Sequence, residues 1–209
     1  MFDIISVTNR KLCKEDFFLR IEKIANSGVS KIILREKDLS PNEYLKLAKE
    51  CRRICENTSA ELIVHTFFHE LFEEGFDKIH MPLPLLEENP QIRQKTQLLG
   101  VSVHSKEQAE KALALGAHYL TAGHIFATDC KKGVPPRGLD FLKEICDLSP
   151  VPVYAIGGIN SENAPLAAEK GAKGVCIMSG LMECENPYEY VKNFKNTKSQ
   201  TTPERTWFE

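Results

Sequence analysis

Ala155-Ile156-Gly157-Gly158-Ile159-Asn160-Ser161 is the stretch that decides the fold. It reads as a buried strand running into two adjacent glycines and then a helix start. Adjacent glycines let the backbone approach an anion closely, with N–H groups aimed at it. A following helix N-terminus adds a favourable dipole. The position of the stretch is as informative as its composition. A doubly wound open sheet carries its glycine-rich turn after the first strand. Here the turn after the first strand candidate reads Thr8-Asn9-Arg10-Lys11 and holds no glycine, and the Gly-Gly turn comes late in the chain.

On either side of this stretch, short β-branched runs alternate with longer amphipathic ones. Buried parallel strands are expected over 3–7, 31–34, 61–64, 78–80, 99–103, 119–122, 151–156 and 174–178. Helices are expected between them. Phe17, Phe18, Ile21, Ile24 and Ala25 recur at helical spacing, with Gly28 as the stop. Ser40, Pro41 and Glu43 form an N-cap, a first-turn proline and a capping box for the next. Further helices are expected over 67–74, 86–94, 106–115, 139–148, 161–170 and 188–196. Strict strand–helix alternation implies a parallel sheet with right-handed crossovers. Eight units in 209 residues predict a single compact (β/α)₈ TIM barrel over residues 1–196, followed by a polar, loosely ordered tail over 197–209.

Composition excludes several classes. The formal net charge is -2, which gives no electrostatic reason for nucleic acid or an acidic membrane surface as a partner. No apolar run approaches the length of a bilayer span. The N-terminus lacks the basic start and apolar stretch of a signal peptide, so a cytosolic protein is expected. The seven cysteines are odd in number and scattered, as expected of free thiols in a reducing compartment. Cys51 and Cys55, and His65 and His69, are spaced as metal pairs, but no further ligand converges on either. No metal site and no cofactor are therefore assigned.

The chemistry-bearing residues cluster where strands end. Gly157 and Gly158 in the seventh loop, and Met178, Ser179 and Gly180 in the eighth, occupy the loops in which barrels often hold phosphate. The run Gly123-His124-Ile125-Phe126-Ala127-Thr128-Asp129-Cys130-Lys131-Lys132-Gly133 gathers an imidazole, a hydroxyl, a carboxylate and two ammonium groups past strand six. An imidazole there suits either proton transfer or a bond to a loop carbonyl. Arg35-Glu36-Lys37-Asp38 follows strand two, either as a solvated face or with Arg35 aimed into the mouth to grip an anion. His80 and His104 end strands and face the mouth, whereas His118 precedes strand six at the opposite face.

Taken in order, Arg35-Glu36-Lys37, Gly100-Val101-Ser102-Val103-His104-Ser105, Gly123 to Lys131, Gly138, Ile156-Gly157-Gly158-Ile159 and Met178-Ser179-Gly180 resemble the thiamine phosphate synthase and thiazole tautomerase family. The resemblance runs from about residue 3 to 195. In that family the synthase joins a pyrimidine pyrophosphate to a thiazole phosphate and holds Mg²⁺ with an Asn-Asp pair after strand three and an Asp after strand four. This chain reads His65-Thr66 at the first place and His80-Met81-Pro82-Leu83-Pro84-Leu85 at the second. It also has His124 where the synthase has proline, followed by the tautomerase pattern Phe126, Thr128, Asp129, Cys130, Lys131, Lys132 and Gly133. The resemblance therefore implies a thiazole tautomerase, an isomerase that aromatises a carboxythiazole phosphate without metal.

On that expectation His124 moves the proton. The phosphate sits on Gly157, Gly158, Met178, Ser179 and Gly180 with Lys131 nearby. Arg35 holds a carboxylate, Ser102 and His104 line the ring pocket, and Lys37, His65 and Thr128 make further substrate contacts. The partner is a small phosphorylated thiazole, and the resemblance also implies a homodimer. The alternatives are the Mg²⁺-dependent synthase, a non-catalytic regulatory protein binding thiazole or thiamine phosphate, and another phosphate-binding barrel such as a sugar-phosphate epimerase.

Overall fold

The computed structural model describes residues 2–196, so the expectation for the tail lies outside the described residues. Eight parallel strands close into a barrel in sequence order: β1 (Asp3–Val7), β2 (Lys31–Leu34), β3 (Glu61–His65), β4 (Lys78–Pro82), β5 (Leu98–Val103), β6 (Tyr119–Gly123), β7 (Val153–Ile156) and β8 (Gly174–Ile177). Closure comes from pairing Asp3 with Gly174 and Ser6 with Ile177. The outer ring is built from α1 (Phe17–Ala25), α2 (Pro41–Cys55), α3 (Phe68–Glu73), α4 (Leu83–Glu88), α5 (Lys106–Ala114), α6 (Gly138–Leu148), α7 (Ala164–Glu169), α8 (Ser179–Glu183) and α9 (Pro187–Asn196). The (β/α)₈ expectation holds. No described helix is long and apolar enough to cross a membrane.

Alternation along the strands makes two apolar layers. Ile5, Val7, Ile33, Ile63, Tyr119, Tyr154 and Cys176 fill the barrel interior. Intervening residues such as Ile4, Ile32, Leu34, Val64, Leu120 and Val175 pack outward against the helices. Fully burying each such aliphatic side chain contributes about 1.5–3 kcal/mol. The Ser40 side chain accepts from the Glu43 backbone, and the Glu43 carboxylate accepts from the Ser40 backbone, so the capping box starts α2 where expected.

Most boundaries shift by one or two residues, and three differences have a local physical reason. The helix expected over 86–94 is two pieces: α4 starts earlier at Leu83, with Pro84 in its first turn, and a 3₁₀ segment covers Pro90–Lys95. Pro90 supplies no N–H to continue α4, so the chain breaks at Asn89. The helix expected from Ser161 starts at Ala164. Asn160 Oδ1 accepts from the N–H groups of Glu162 and Asn163, which closes a local turn first. That turn separates Gly157-Gly158 from the helix, so the anion-binding case rests on loop amides rather than a dipole. The strand expected from 151 starts at Val153, after Pro152.

Candidate functional site

The mouth of the barrel is organised by a buried carboxylate. Glu36 is 2% exposed. It accepts from Thr8 Oγ1 at 2.7 Å, from the Arg10 backbone at 2.9 and 3.1 Å, and from Arg10 Nη1 at 3.2 Å. Thr8 Oγ1 accepts in turn from the Arg35 backbone at 2.9 Å. Arg10 also grips Asp38 with both guanidinium nitrogens, at 2.6 and 2.8 Å. Arg10 and Lys11 together hold the Asp38 carboxyl well below the usual carboxylate range. The charge run after β2 is thereby sorted: both of its acids are committed to the loop after β1.

That leaves Arg35 and Lys37 without a carboxylate partner among the described residues, and the same holds for Lys131 in the loop after β6. The three sit close enough to act on one another. Partial burial of its ammonium, then repulsion from Arg35 and Lys131, holds Lys37 below the ordinary lysine value. The positive charge of Arg35 and Lys131 is thus concentrated around Lys37 at one opening. The pairing of Glu36 and Asp38 with Arg10 leaves neither acid to neutralise Arg35.

Beneath the cations lie two imidazoles. The His65 and His80 rings stack with centroids 5.9 Å apart. Burial pushes His80 down to about 3, with the Arg35 charge acting in the same direction. Burial also holds His65 well below the ordinary value, followed by His80, Lys37 and Arg35. Both shifts favour the neutral ring. His65 Nδ1 bonds Thr66 Oγ1, and the His65 backbone donates to Tyr44 Oη at 2.8 Å. His80 lies between Tyr119 and Ser102.

His124 is buried at the end of β6, after a cis peptide bond from Gly123. Its Nε2 lies 3.2 Å from the Val134 carbonyl, to which it donates. Arg137 donates its backbone N–H to the His124 carbonyl and its Nε to the Gly123 carbonyl. His104 Nδ1 donates to the same Gly123 carbonyl at 2.6 Å. Burial lowers the His104 pKa, although the Gly123 carbonyl opposes the shift. His124 thus pins the loop after β6 through a carbonyl bond. Thr128 caps a 3₁₀ turn containing Lys131.

Gly157 and Gly158 have φ of +96° and +66°. A Cβ on Gly157 would lie 2.2 Å from His124 Cβ, and one on Gly158 would lie 2.3 Å from the Ala127 carbonyl. Only glycine fits both the left-handed backbone and the close approach of the loop after β6. The glycine turn and the histidine loop are therefore one packed unit. Ser179 and Gly180 open α8 at the end of β8.

Comparison with known proteins agrees with this architecture. Residues 4–181 match the family described as thiamine monophosphate synthase. The chain belongs to this family. It is 33% identical over 199 residues to the thiamine-phosphate synthase of Fusobacterium nucleatum, covering 91% of this chain and 96% of that one. It is 32% identical over 188 residues to that of Clostridium acetobutylicum, covering 88% and 89%. The solved thiamine phosphate pyrophosphorylase of Pyrococcus furiosus superposes with a TM-score of 0.79 at 25% identity, over 94% of this chain and 95% of that one. A 3-hexulose-6-phosphate synthase, at 15% identity and a TM-score of 0.70, shares the fold alone.

These relatives overturn the tautomerase expectation. Proteins that this family member matches at 32–34% identity are named synthases, which makes a transferase rather than an isomerase the supported activity. The proton transfer expected of His124 belonged to the overturned reading and goes with it.

The synthase expectation carries a Mg²⁺ ion, and the residues here do not fit one. Mg²⁺ takes hard oxygen ligands, usually carboxylates beside substrate phosphates. At the places after β3 and β4 stand His65-Thr66 and the apolar start of α4. The nearby acids Glu36 and Asp38 are spent on Arg10. Among the described residues no group of three or more His, Cys, Asp or Glu side chains converges.

Proposed function

We propose that this protein is a transferase of thiamine-phosphate synthase type, joining a pyrimidine pyrophosphate to a thiazole phosphate. In that reaction the bond between the pyrimidine's methylene carbon and the pyrophosphate oxygen breaks. The thiazole nitrogen forms the new C–N bond, and pyrophosphate leaves with the electron pair. The observation that carries the reading is the trio Arg35, Lys37 and Lys131, left without carboxylate partners among the described residues at the barrel mouth. Charge developing on a departing pyrophosphate is what such a trio stabilises, and preorganised charges aimed at developing charge are usually the largest catalytic contribution. The amides of Gly157, Gly158, Ser179 and Gly180, carried on different loops, are assigned to the second substrate's phosphate. Ser102 and His104 line the space between. Among the described residues no cluster of side chains is arranged to hold a metal beside the trio.

The test is incubation with both substrates, with and without Mg²⁺, following thiamine phosphate and released pyrophosphate. Product at rates that fall when Arg35 or Lys131 is replaced supports the reading; its absence under all conditions overturns it. The missing metal carboxylates favour one second reading, a barrel that binds thiazole or thiamine phosphate without joining the halves. It predicts tight binding of thiamine phosphate with no pyrophosphate released.

A further inference from the structure

A proton count through the barrel interior decides the polarity of one residue at the mouth. Tyr119 is 2% exposed, and the ring space it fills exists because residue 100 is glycine: a Cβ there would lie 2.0 Å from Tyr119 Cζ. The Tyr119 hydroxyl bonds His80 Nδ1 at 3.0 Å, the one side-chain partner it has among the described residues. A buried hydroxyl must place its proton on an acceptor or pay for an orphaned donor. Tyr119 therefore donates, and His80 Nδ1 accepts.

A neutral imidazole carries one N–H, so the His80 proton lies on Nε2. Nε2 is 2.8 Å from Ser102 Oγ and 3.4 Å from Thr121 Oγ1. With Nε2 protonated, Thr121 has Ser102 Oγ, at 3.1 Å, as its acceptor. Ser102 Oγ then accepts from both His80 and Thr121, which fills its two lone pairs. Its own proton has no partner within the protein among the described residues, and Ser102 is the half-buried member of the set, at the C-terminal end of β5.

We infer that Tyr119 and His80 are positioning residues that commit the Ser102 hydroxyl to donating a hydrogen bond into the barrel mouth. The group it selects is a lone-pair acceptor, such as an aromatic ring nitrogen or a phosphate oxygen, over an edge presenting N–H. Assigning that acceptor to the pyrimidine pyrophosphate rests on the transferase reading, but the proton placement does not.

Two measurements test the inference separately. Long-range ¹H–¹⁵N correlation on histidine-labelled protein reads the His80 tautomer directly. The Nε2–H form is expected, with a shift toward Nδ1–H in Tyr119→Phe. An Nδ1–H tautomer in the native protein overturns the inference whatever the enzyme does. A double-mutant cycle on thiamine phosphate affinity, by calorimetry, reads the consequence. Ser102→Ala and Tyr119→Phe are each expected to weaken binding about three- to tenfold, the range for one neutral hydrogen bond. Tyr119→Phe should cost nothing further once Ser102 is Ala. Additive losses would make Tyr119 a packing residue and sink the positioning role. His80→Gln, which keeps an N–H near Nε2, should retain more affinity than His80→Asn. Failure of thiamine phosphate to bind the native protein refutes the transferase reading instead and leaves the tautomer measurement to decide this one.

Discussion

Replacing Gly158 by alanine separates the cost of backbone conformation from the cost of dislodging the site, provided Gly133→Ala is measured beside it. Gly133 has φ +81° and nothing within 4 Å of the position a Cβ would take. Its substitution charges only for the left-handed conformation, about 1–2 kcal/mol. Gly158 has a similar φ, +66°, but its Cβ would lie 2.3 Å from the Ala127 carbonyl and 2.9 Å from Phe126. Ordinary contact begins near 3.4 Å, so backbone must move by about 1 Å. Overpacking of that kind adds about 1–3 kcal/mol. Gly158→Ala is therefore expected to cost about 2–5 kcal/mol in urea unfolding, clearly more than Gly133→Ala. The displaced segment leads to Lys131, so calorimetry should also show weaker thiamine phosphate binding. Losing one charge-assisted hydrogen bond, about 1.5–3 kcal/mol, corresponds to about ten- to a hundredfold. Equal stabilities and equal affinities for the two variants would refute the claim that the glycine turn and the loop after β6 form one packed unit.

Three further outcomes follow from the titratable groups at the mouth. Glu36→Ala removes the acceptor that ties the loops after β1 and β2 and orphans the Thr8 hydroxyl and the Arg10 N–H, while Arg10 keeps Asp38; a loss of about 1–3 kcal/mol in denaturant unfolding is expected. Acid should destabilise the fold through His80. Its folded value is about 3 while an unfolded histidine titrates near 6.5, so between those values the unfolded chain binds a proton the fold refuses, and stability falls as pH drops by up to about 1.4 kcal/mol per unit; His80→Gln should flatten that slope in pH-dependent urea titrations. Anion affinity should weaken on the alkaline side: Lys37 is held below the usual lysine value, so it loses its charge earlier than a solvated lysine, and Lys37→Met should remove that part of the pH dependence in pyrophosphate calorimetry.

The fold was readable because a parallel barrel repeats one local signal. Each strand is a short buried run and each helix an amphipathic one, so errors stayed local to Pro84, Pro90 and Asn160, where a side chain or missing N–H redirects a helix start. The glycine turn was readable for the same reason, since Gly157 and Gly158 announce a left-handed backbone that side chains rarely adopt. The charge run Arg35 to Asp38 was only half readable. Four charges in a row do not say which point inward, and the answer came from Thr8 and Arg10, more than twenty residues away. His80 and Ser102 were readable as residues of the mouth, but their link to Tyr119 was not. The three meet because β4, β5 and β6 lie side by side, and Tyr119 alone reads as an ordinary strand residue. His124 was readable only as a choice between proton transfer and a bond to a loop carbonyl, and its Nε2 donates to the Val134 carbonyl.

The central claim is that unpaired cations at the barrel mouth receive a pyrophosphate group, and titration of inorganic pyrophosphate into the native protein and Arg35→Gln tests it most directly. Arg35 has no carboxylate partner among the described residues, so its loss should leave the fold intact and weaken pyrophosphate about ten- to a hundredfold, the worth of one charge-assisted contact. Equal affinity in the two proteins, or no binding by the native one, would contradict the account.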